Sequence, residues 1–175
     1  MKNILITGGT GFIGSHTCVT LLSEGYNVYL IDSLVNSSKR SLLKIEEIFR
    51  SKNIDLSKKL RFFKGDIRKK DFIDYVFKTA LKEKKAIDGV IHFAGLKAVA
   101  ESVIKPLNYW ENNVLGSYNL IKIMEENNCK TIVFSSSATV YGNTSEDFLK
   151  EDFLLAPTNP YGTTKLTVEK MLNNI

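Results

Sequence analysis

The sequence has few of the residues and runs that metal-binding or membrane proteins need. Its 175 residues include two cysteines, three prolines and one tryptophan. Cys18 and Cys129 lie far apart without CxxC or cysteine–histidine spacing, so we expect two buried thiols and no metal site. No apolar run approaches the roughly 20 residues that span a bilayer, and MKNILITGG lacks a signal peptide's long apolar stretch. We therefore expect a cytoplasmic protein with no membrane partner.

A block of one charge is also missing, although the formal net charge is +5. The basic residues are spread over Lys58–Lys59, Arg68–Lys70 and Lys82–Lys85, mixed with acids and without an aromatic stacking pattern. Solvated faces explain them better than a nucleic-acid partner. The 43% hydrophobic content is that of a soluble globular protein, and the length predicts one domain over 1–175.

Short apolar runs alternate with helical patterns along the chain. Strands are predicted over 3–7, 27–32, 60–66, 88–95 and 131–137, and helices over 12–24, 41–51, 72–81, 107–127 and 159–175. In the first helix, Ile13, Cys18, Leu21 and Leu22 are expected to face inward, with Gly25 as the stop. This alternation implies right-handed crossovers and a parallel sheet covered on both faces, with ligands beyond the carboxyl ends of its strands.

The first strand ends in the glycine-rich stretch TGGTGFIGSH. Gly9, Gly11 and Gly14 fit the dinucleotide fingerprint GxGxxG, and Gly8 adds a second spacing with Gly11 and Gly14. Glycines there permit a tight turn, a close approach of the backbone to a pyrophosphate, and free N–H groups at the following helix. Because this motif follows a strand and opens a helix, it predicts nucleotide binding.

Acidic residues end the second and third strands. Asp32 can accept hydrogen bonds from ribose hydroxyls and would repel a 2′-phosphate, which favours NAD over NADP. The nearby Lys39 and Arg40 weaken that preference, since a basic residue can accept a phosphate. Asp66, followed by Ile67, is placed either to flank an adenine or to cap the next helix, and the pattern does not decide between these roles.

Small and hydroxyl residues end the fourth and fifth strands. In HFAGLK the small Ala94 and Gly95 would let the backbone pass a cofactor, whereas His92 is expected to be a packed strand residue. The run SSS ends at Ser137, a hydroxyl that could also serve backbone groups. In PYGTTK, Tyr161 and Lys165 lie one helical turn apart, so a hydroxyl, a phenol and an ammonium group are predicted to converge.

Five stretches together resemble the extended short-chain dehydrogenase/reductase family and, within it, the UDP-glucose 4-epimerases (UDP-galactose 4-epimerases). They are ITGGTGFIGSH, HFAGLKAVAESV, YWENNV, SSSATVYG and NPYGTTK. The resemblance implies a Rossmann-like doubly wound parallel sheet with helices on both faces. Only the N-terminal half of the family is matched, without the last strands and the substrate-binding region.

The resemblance also implies residue roles. Tyr161, Lys165 and Ser137 would be catalytic, and Lys97, Ser137 and Tyr161 would contact the sugar substrate. The residues that would bind NAD are Gly8, Gly11, Phe12, Ile13, Gly14, Asp32, Ser33, Leu34, Val35, Asn36, Ser37, Asp66, Ile67, Phe93, Ala94, Gly95, Leu96, Lys97, Asn112, Tyr161 and Lys165.

The implied reaction is the NAD-dependent epimerisation of UDP-glucose and UDP-galactose at sugar C4 through a 4-keto intermediate. Tyr161 would act as the base, helped by Lys165 because a free tyrosine titrates near 10. A related 4,6-dehydratase is disfavoured, since Ala138 and Thr139 stand where that enzyme has a carboxylate pair. A second alternative is an NAD-binding half-domain without turnover. The family's dimer, formed by helix 107–127 and the Tyr161 helix, implies a homodimer.

Overall fold

Five parallel strands form the sheet that the alternating pattern predicts. The computed structural model describes residues 2–143 and 148–175. The strands are β1 (Asn3–Thr7), β2 (Asn27–Asp32), β3 (Leu60–Lys64), β4 (Gly89–His92) and β5 (Ile132–Phe134). Their order is β3-β2-β1-β4-β5, and every neighbouring pair is parallel. The predicted fold class is confirmed, with β3, β4 and β5 shorter than their apolar runs.

Helical segments connect the strands and follow the last one. They are α1 (Phe12–Ser23), α2 (Arg40–Arg50), α3 (Lys70–Lys82), α4 (Val99–Ile104), α5 (Pro106–Tyr109), a π-helical segment (Trp110–Leu115), α6 (Gly116–Glu126), a 3-10 helix (Ala138–Tyr141) and α7 (Pro160–Asn173). The predicted helix over 107–127 is thus divided into three parts. Within the described ranges, no helix is both long and apolar enough to cross a membrane.

The chain divides into two compact units. The first comprises Met1–Ala94 and Asn119–Phe134, and the second comprises Gly95–Tyr118 and Ser135–Ile175. The first unit holds the sheet with one hydrophobic cluster on each face. Leu5 of β1 belongs to one cluster and its neighbour Ile6 to the other, as the two-residue period of a strand requires.

The second unit is helical and is built around α7. This helix packs against α4, α5, the π-helical segment and the 3-10 helix. The approach to the 3-10 helix is close, because a Cβ at Gly162 would lie 2.7 Å from the carbonyl oxygen of Thr139. The side chain of Asn159 caps α7 by accepting a hydrogen bond from the backbone N–H of Gly162 at 2.8 Å.

The buried face of α1 differs in one residue from the prediction. Gly14, Cys18 and Leu22, spaced four apart, are its buried positions, and Leu21 is half-buried. Ile13 is 58% exposed, so its predicted inward position is wrong. The reason is that Gly14 faces the glycine turn, which rotates the preceding residue toward solvent.

Both cysteines are buried and free, as predicted. Burial raises the pKa of the Cys18 thiol to about 12. The pKa of the Cys129 thiol is raised by the same cause. Neither sulfur therefore has thiolate character near neutral pH.

Candidate active site

The glycine turn after β1 (residues 8–11) and the start of α1 leave no room for a side chain at Gly8 or Gly14. Gly8 has a φ of +68°, and a Cβ on it would lie 2.7 Å from the backbone nitrogen of Ala94. A Cβ on Gly14 would lie 2.3 Å from the carbonyl oxygen of Gly8. Both contacts are shorter than carbon–nitrogen or carbon–oxygen packing allows, so these two positions require glycine. The backbone thereby folds tightly beneath the first turn of α1.

The N-terminus of α1 is open to an anion. Gly11 is its N-cap, and because glycine has no side chain, the cap position supplies no acceptor to the backbone N–H groups of the first turn. Phe12 is 78% exposed beside these groups. A tight glycine-rich turn that leads into these N–H groups fits the pyrophosphate of a dinucleotide.

Asp32 organises the loop beyond β2. Its Oδ2 accepts a hydrogen bond from the backbone N–H of Thr10 at 3.0 Å, and its Oδ1 accepts from the N–H of Leu34 at 2.9 Å and from the hydroxyl of Ser37 at 2.8 Å. The Thr10 hydroxyl donates to Ser37 Oγ at 2.8 Å. Asp32 therefore ties residues 33–37 to the glycine turn, and Oδ2, which accepts one of these bonds, can accept another.

The loop over 33–37 presents mostly exposed side chains. Leu34 has a φ of +62°, a conformation that a non-glycine residue adopts only where surrounding bonds hold it. Ser33, Val35 and Asn36 are exposed. Lys39 and Arg40, the basic residues that could accept a phosphate, are exposed as well.

Asp66 forms an ion pair and does not cap a helix. Its carboxylate accepts three side-chain hydrogen bonds from Arg68, the shortest at 2.6 Å. Burial raises the pKa of Asp66, but the hydrogen bonds and charge of Arg68 outweigh this and lower it. The N-cap of α3 is Lys69, which excludes the capping alternative. Ile67 is buried in the core, so any adenine contact by Ile67 would use its backbone.

The end of β4 is packed against β1. His92 is 1% exposed, and its Nδ1 lies 2.6 Å from the hydroxyl of Thr7. The same hydroxyl accepts a hydrogen bond from the N–H of Ala94 at 3.2 Å. These contacts confirm His92 as a packed strand residue. They also hold Phe93 and Ala94, which are half-buried, beside the glycine turn.

In the second unit, α7 brings Tyr161 and Lys165 together. The Nζ of Lys165 lies 5.9 Å from the centre of the Tyr161 ring and donates a hydrogen bond to the carbonyl of Ser135 at 2.8 Å. Lys165 is 5% exposed. Burial lowers its pKa to about 8, an effect that the negative charge of Glu169 opposes. A substantial part of the Lys165 side chains is therefore ammonium at neutral pH.

Tyr161 is held by its ring and by its backbone. Its ring is 8% exposed and meets Tyr109 edge to face at 6.4 Å. Its backbone N–H donates to the hydroxyl of Ser102 at 3.2 Å. Tyr109 is itself fixed by donating to the carbonyl of Ala98 at 2.8 Å and to Glu101 at 3.1 Å. The phenol at position 161 is thus placed by packing from two short helices.

Ser137 caps the 3-10 helix next to α7. Its Oγ accepts hydrogen bonds from the N–H of Thr139 at 3.2 Å and from the Thr139 hydroxyl at 2.9 Å. A hydroxyl has two acceptor lone pairs and one donor. With both lone pairs engaged, Ser137 presents its O–H as a donor, as a contact to a substrate oxygen needs.

Asn113 links the Gly95–Lys97 stretch to α7. Its side chain accepts from the N–H of Leu96 at 2.8 Å, donates to the carbonyl of Leu96 at 3.0 Å, and donates to Thr164 Oγ1 at 3.1 Å. The predicted neighbour Asn112 is half-buried, and Lys97 is exposed.

The sequence motifs did not predict four polar residues that lie near these sites. They are Thr10, Ser102, Asn113 and Glu169. Each acts through a bond to a distant segment, which no spacing reveals. The repeated asparagine in YWENNV was the available signal for Asn113, because an asparagine inside an apolar helix needs a buried polar partner.

A family model described as GDP-mannose 4,6 dehydratase matches residues 5–175. The chain belongs to the GDP-mannose 4,6 dehydratase family. The chain is also similar to enzymes whose names describe an epimerisation and not a dehydration. It is 47% identical to a bifunctional UDP-glucose 4-epimerase and UDP-xylose 4-epimerase from Pisum sativum, over 99% of this chain and 47% of the relative.

Two further relatives carry the same epimerase name. A UDP-glucose 4-epimerase from Bacillus subtilis (strain 168) is 47% identical over 98% of this chain and 47% of its own length. The crystal structure of UDP-glucose 4-epimerase from Bifidobacterium longum in complex with NAD+ and UDP superposes with a TM-score of 0.86. Its sequence is 41% identical, and the match covers 99% of this chain and 48% of the chain in that structure. The resemblance to UDP-glucose 4-epimerases is confirmed.

The chain spans about half the length of the curated relatives it matches. The activities and ligands of those relatives belong to longer chains than this one.

Proposed function

We propose that this chain binds NAD and supplies the catalytic residues for the epimerisation of UDP-glucose and UDP-galactose at sugar C4. The observation that carries the proposal is the buried Lys165 beneath the ring of Tyr161, in a chain 47% identical to enzymes named UDP-glucose 4-epimerase. The glycine turn, the uncapped start of α1 and the Asp32 carboxylate fit the pyrophosphate and ribose of NAD.

The residues divide the work of proton transfer. Tyr161, as phenolate, takes the proton of the sugar 4-hydroxyl and later returns it, while Ser137 donates a hydrogen bond to the reacting oxygen. The Lys165 ammonium stabilises the phenolate through its charge. When bound, NAD would supply a hydride acceptor and donor for sugar C4, and the glycine turn, the start of α1 and Asp32 would hold it.

The residues after Ser137 favour epimerisation over the 4,6-dehydration in the family's name. Elimination of water across C5 and C6 needs an additional acid and base. The two positions after Ser137 are Ala138 and Thr139, and the Thr139 hydroxyl donates to Ser137. This arrangement provides no carboxylate for elimination and supports a reaction confined to C4.

A second candidate is an NAD-binding half-domain without turnover. The observation that favours it is that the glycine turn and Asp32, which fit NAD, lie together in the first compact unit, whereas Tyr161 and Lys165 belong to the second. A homodimer and a cytoplasmic location, which the sequence predicts, remain predictions.

The test is conversion of UDP-galactose to UDP-glucose without added cofactor. We would assay the 175-residue chain and a fusion of it to the remaining length of the Bacillus subtilis relative. Conversion by the fusion, and release of NAD on denaturing the chain, would support the proposal. Released NAD without conversion by either protein would support the second candidate, and a chain that retains no NAD contradicts both.

A further inference from the structure

The second half of α7 carries a carboxylate that the proposed mechanism does not use. Glu169 lies four residues after Lys165, so their side chains project from the same side of the helix. Glu169 is half-buried and accepts a hydrogen bond from the hydroxyl of Ser136. A polar bond at this depth fixes both groups more firmly than an exposed one.

Two hydrogen bonds join α7 to the residues that follow β5. The Lys165 ammonium donates to the carbonyl of Ser135 at 2.8 Å, and Ser136 donates to Glu169. Consecutive residues thus bind a cation and an anion that lie one turn apart on the helix. The next residue is Ser137, whose hydroxyl we propose as the contact to the substrate oxygen.

We propose that Glu169 is a positioning residue for Tyr161 and Lys165, which anchors α7 to Ser136 and places a carboxylate one helical turn from the Lys165 ammonium. Its catalytic meaning rests on the proposed function, but its effect on Lys165 is a property of the chain alone. Burial is the larger influence on the pKa of Lys165 and lowers it, whereas the charge of Glu169 raises it. Without that charge, less of the ammonium form would remain at neutral pH.

The elements packed against α7 carry other ionisable groups. Glu101 of α4 accepts from the Tyr109 hydroxyl of α5 at 3.1 Å and pairs with Lys105 at 3.7 Å. Glu111 of the π-helical segment is exposed, and Tyr141 of the 3-10 helix is half-buried. The charge of Glu169 acts on Lys165 and raises its pKa.

The experiment is a pH titration of Lys165 by NMR in the lysine-labelled chain, with the signal assigned from Lys165→Arg. Glu169→Gln keeps an acceptor for Ser136 but removes the charge, so the pKa of Lys165 is expected to fall below about 8. Glu169→Asp keeps the charge and is expected to restore the native value. Glu46→Gln, exposed on α2, makes the same change in net charge and should have no effect. The proposal is overturned if the pKa of Lys165 is unchanged in Glu169→Gln, or if it falls equally in Glu46→Gln.

Ser136→Ala tests the anchoring separately, because it removes the donor and keeps both charges. Faster amide hydrogen exchange over residues 135–137 is expected, with no fall in the pKa of Lys165. Unchanged exchange overturns the anchoring role. Neither readout needs turnover or NAD. If the chain retains no NAD but the pKa of Lys165 falls in Glu169→Gln, the proposed function alone is contradicted. If the chain retains NAD but the pKa of Lys165 is unchanged in Glu169→Gln, this inference alone is contradicted.

Discussion

The hydroxyl of Tyr161 can be removed without removing the packing of its ring. The ring is 8% exposed and meets Tyr109 edge to face, contacts that phenylalanine retains. Tyr161→Phe is therefore expected to fold like the native chain. Loss of a general base should lower the rate of UDP-sugar conversion by the fusion about 10²- to 10⁴-fold. Tyr118→Phe, at a 50% exposed position, is the matched control and should leave the rate unchanged. A fully active Tyr161→Phe protein would rule out the proposed base.

Lys165 gives the stability of the fold a recognisable pH dependence. Its pKa falls from the ordinary 10.5 to about 8 in the folded chain, so between these values the unfolded chain binds more protons. The contribution of Lys165 to the free energy of unfolding therefore rises as the pH increases from about 8 to 10.5. Below about pH 8 the folded chain bears the full cost of burying the ammonium group. The total rise is about 3 kcal/mol.

Denaturation of the native chain and Lys165→Met at several pH values measures this contribution. The methionine variant does not titrate, so the native chain should gain stability relative to it between pH 8 and 10.5. Lys130→Met, at an exposed position, controls for loss of a positive charge. A constant difference between native and Lys165→Met across the window would show that the ammonium is not desolvated.

At the scale of elements, regular patterns were predictable and irregular ones were not. β1, β2 and α7 lie within a residue or two of the predicted ranges, because apolar runs and helical spacing mark them locally. The π-helical segment was not predicted, since a shift in helix hydrogen bonding leaves no mark on residue spacing. α4 is six residues long, too short for a periodic pattern to stand out. In the candidate site, likewise, the motifs at the strand ends could be predicted from the sequence, whereas the residues that hydrogen-bond to them could not.

The start of α7 depends on one side chain. Asn159 accepts from the N–H of Gly162 at 2.8 Å and thereby caps the helix that carries Tyr161. Asn159→Ala should lower the free energy of unfolding by about 1 kcal/mol, measured by urea denaturation. Asn159→Asp preserves the acceptor and should lose much less. An equal loss of unfolding free energy in the two variants would mean that the hydrogen bond from Gly162 to the side chain at position 159 does not stabilise the helix.

The start of α1 depends on the absence of a side chain. A Cβ on Gly14 would lie 2.3 Å from the carbonyl oxygen of Gly8, so Gly14→Ala must displace the turn. We expect this variant to lose most of its bound NAD, measured as NAD released on denaturing the purified chain. Thr20→Ala, at an exposed position on the same helix, should retain NAD. Native NAD content in Gly14→Ala would contradict the assignment of this turn to the cofactor.

At the scale of the whole molecule, each compact unit contains one part of the proposed chemistry. The first unit holds the glycine turn and Asp32, and the second holds Tyr161, Lys165 and Ser137. Sequence motifs identified both parts because each lies next to a strand end or on one helical turn. The division into two units was not evident from the sequence, because no linker or change of composition marks it. The relatives are about twice as long, so the fusion is the appropriate protein for turnover experiments.

The fate of the hydrogen on sugar C4 tests the proposed mechanism most directly. We would supply the fusion with UDP-galactose deuterated at C4, in ordinary water and without added cofactor, and analyse the UDP-glucose formed. Hydride transfer to bound NAD+ and back predicts that the product keeps its deuterium at C4. Loss of the deuterium to water, or formation of a 6-deoxy-4-keto sugar in place of UDP-glucose, would contradict it.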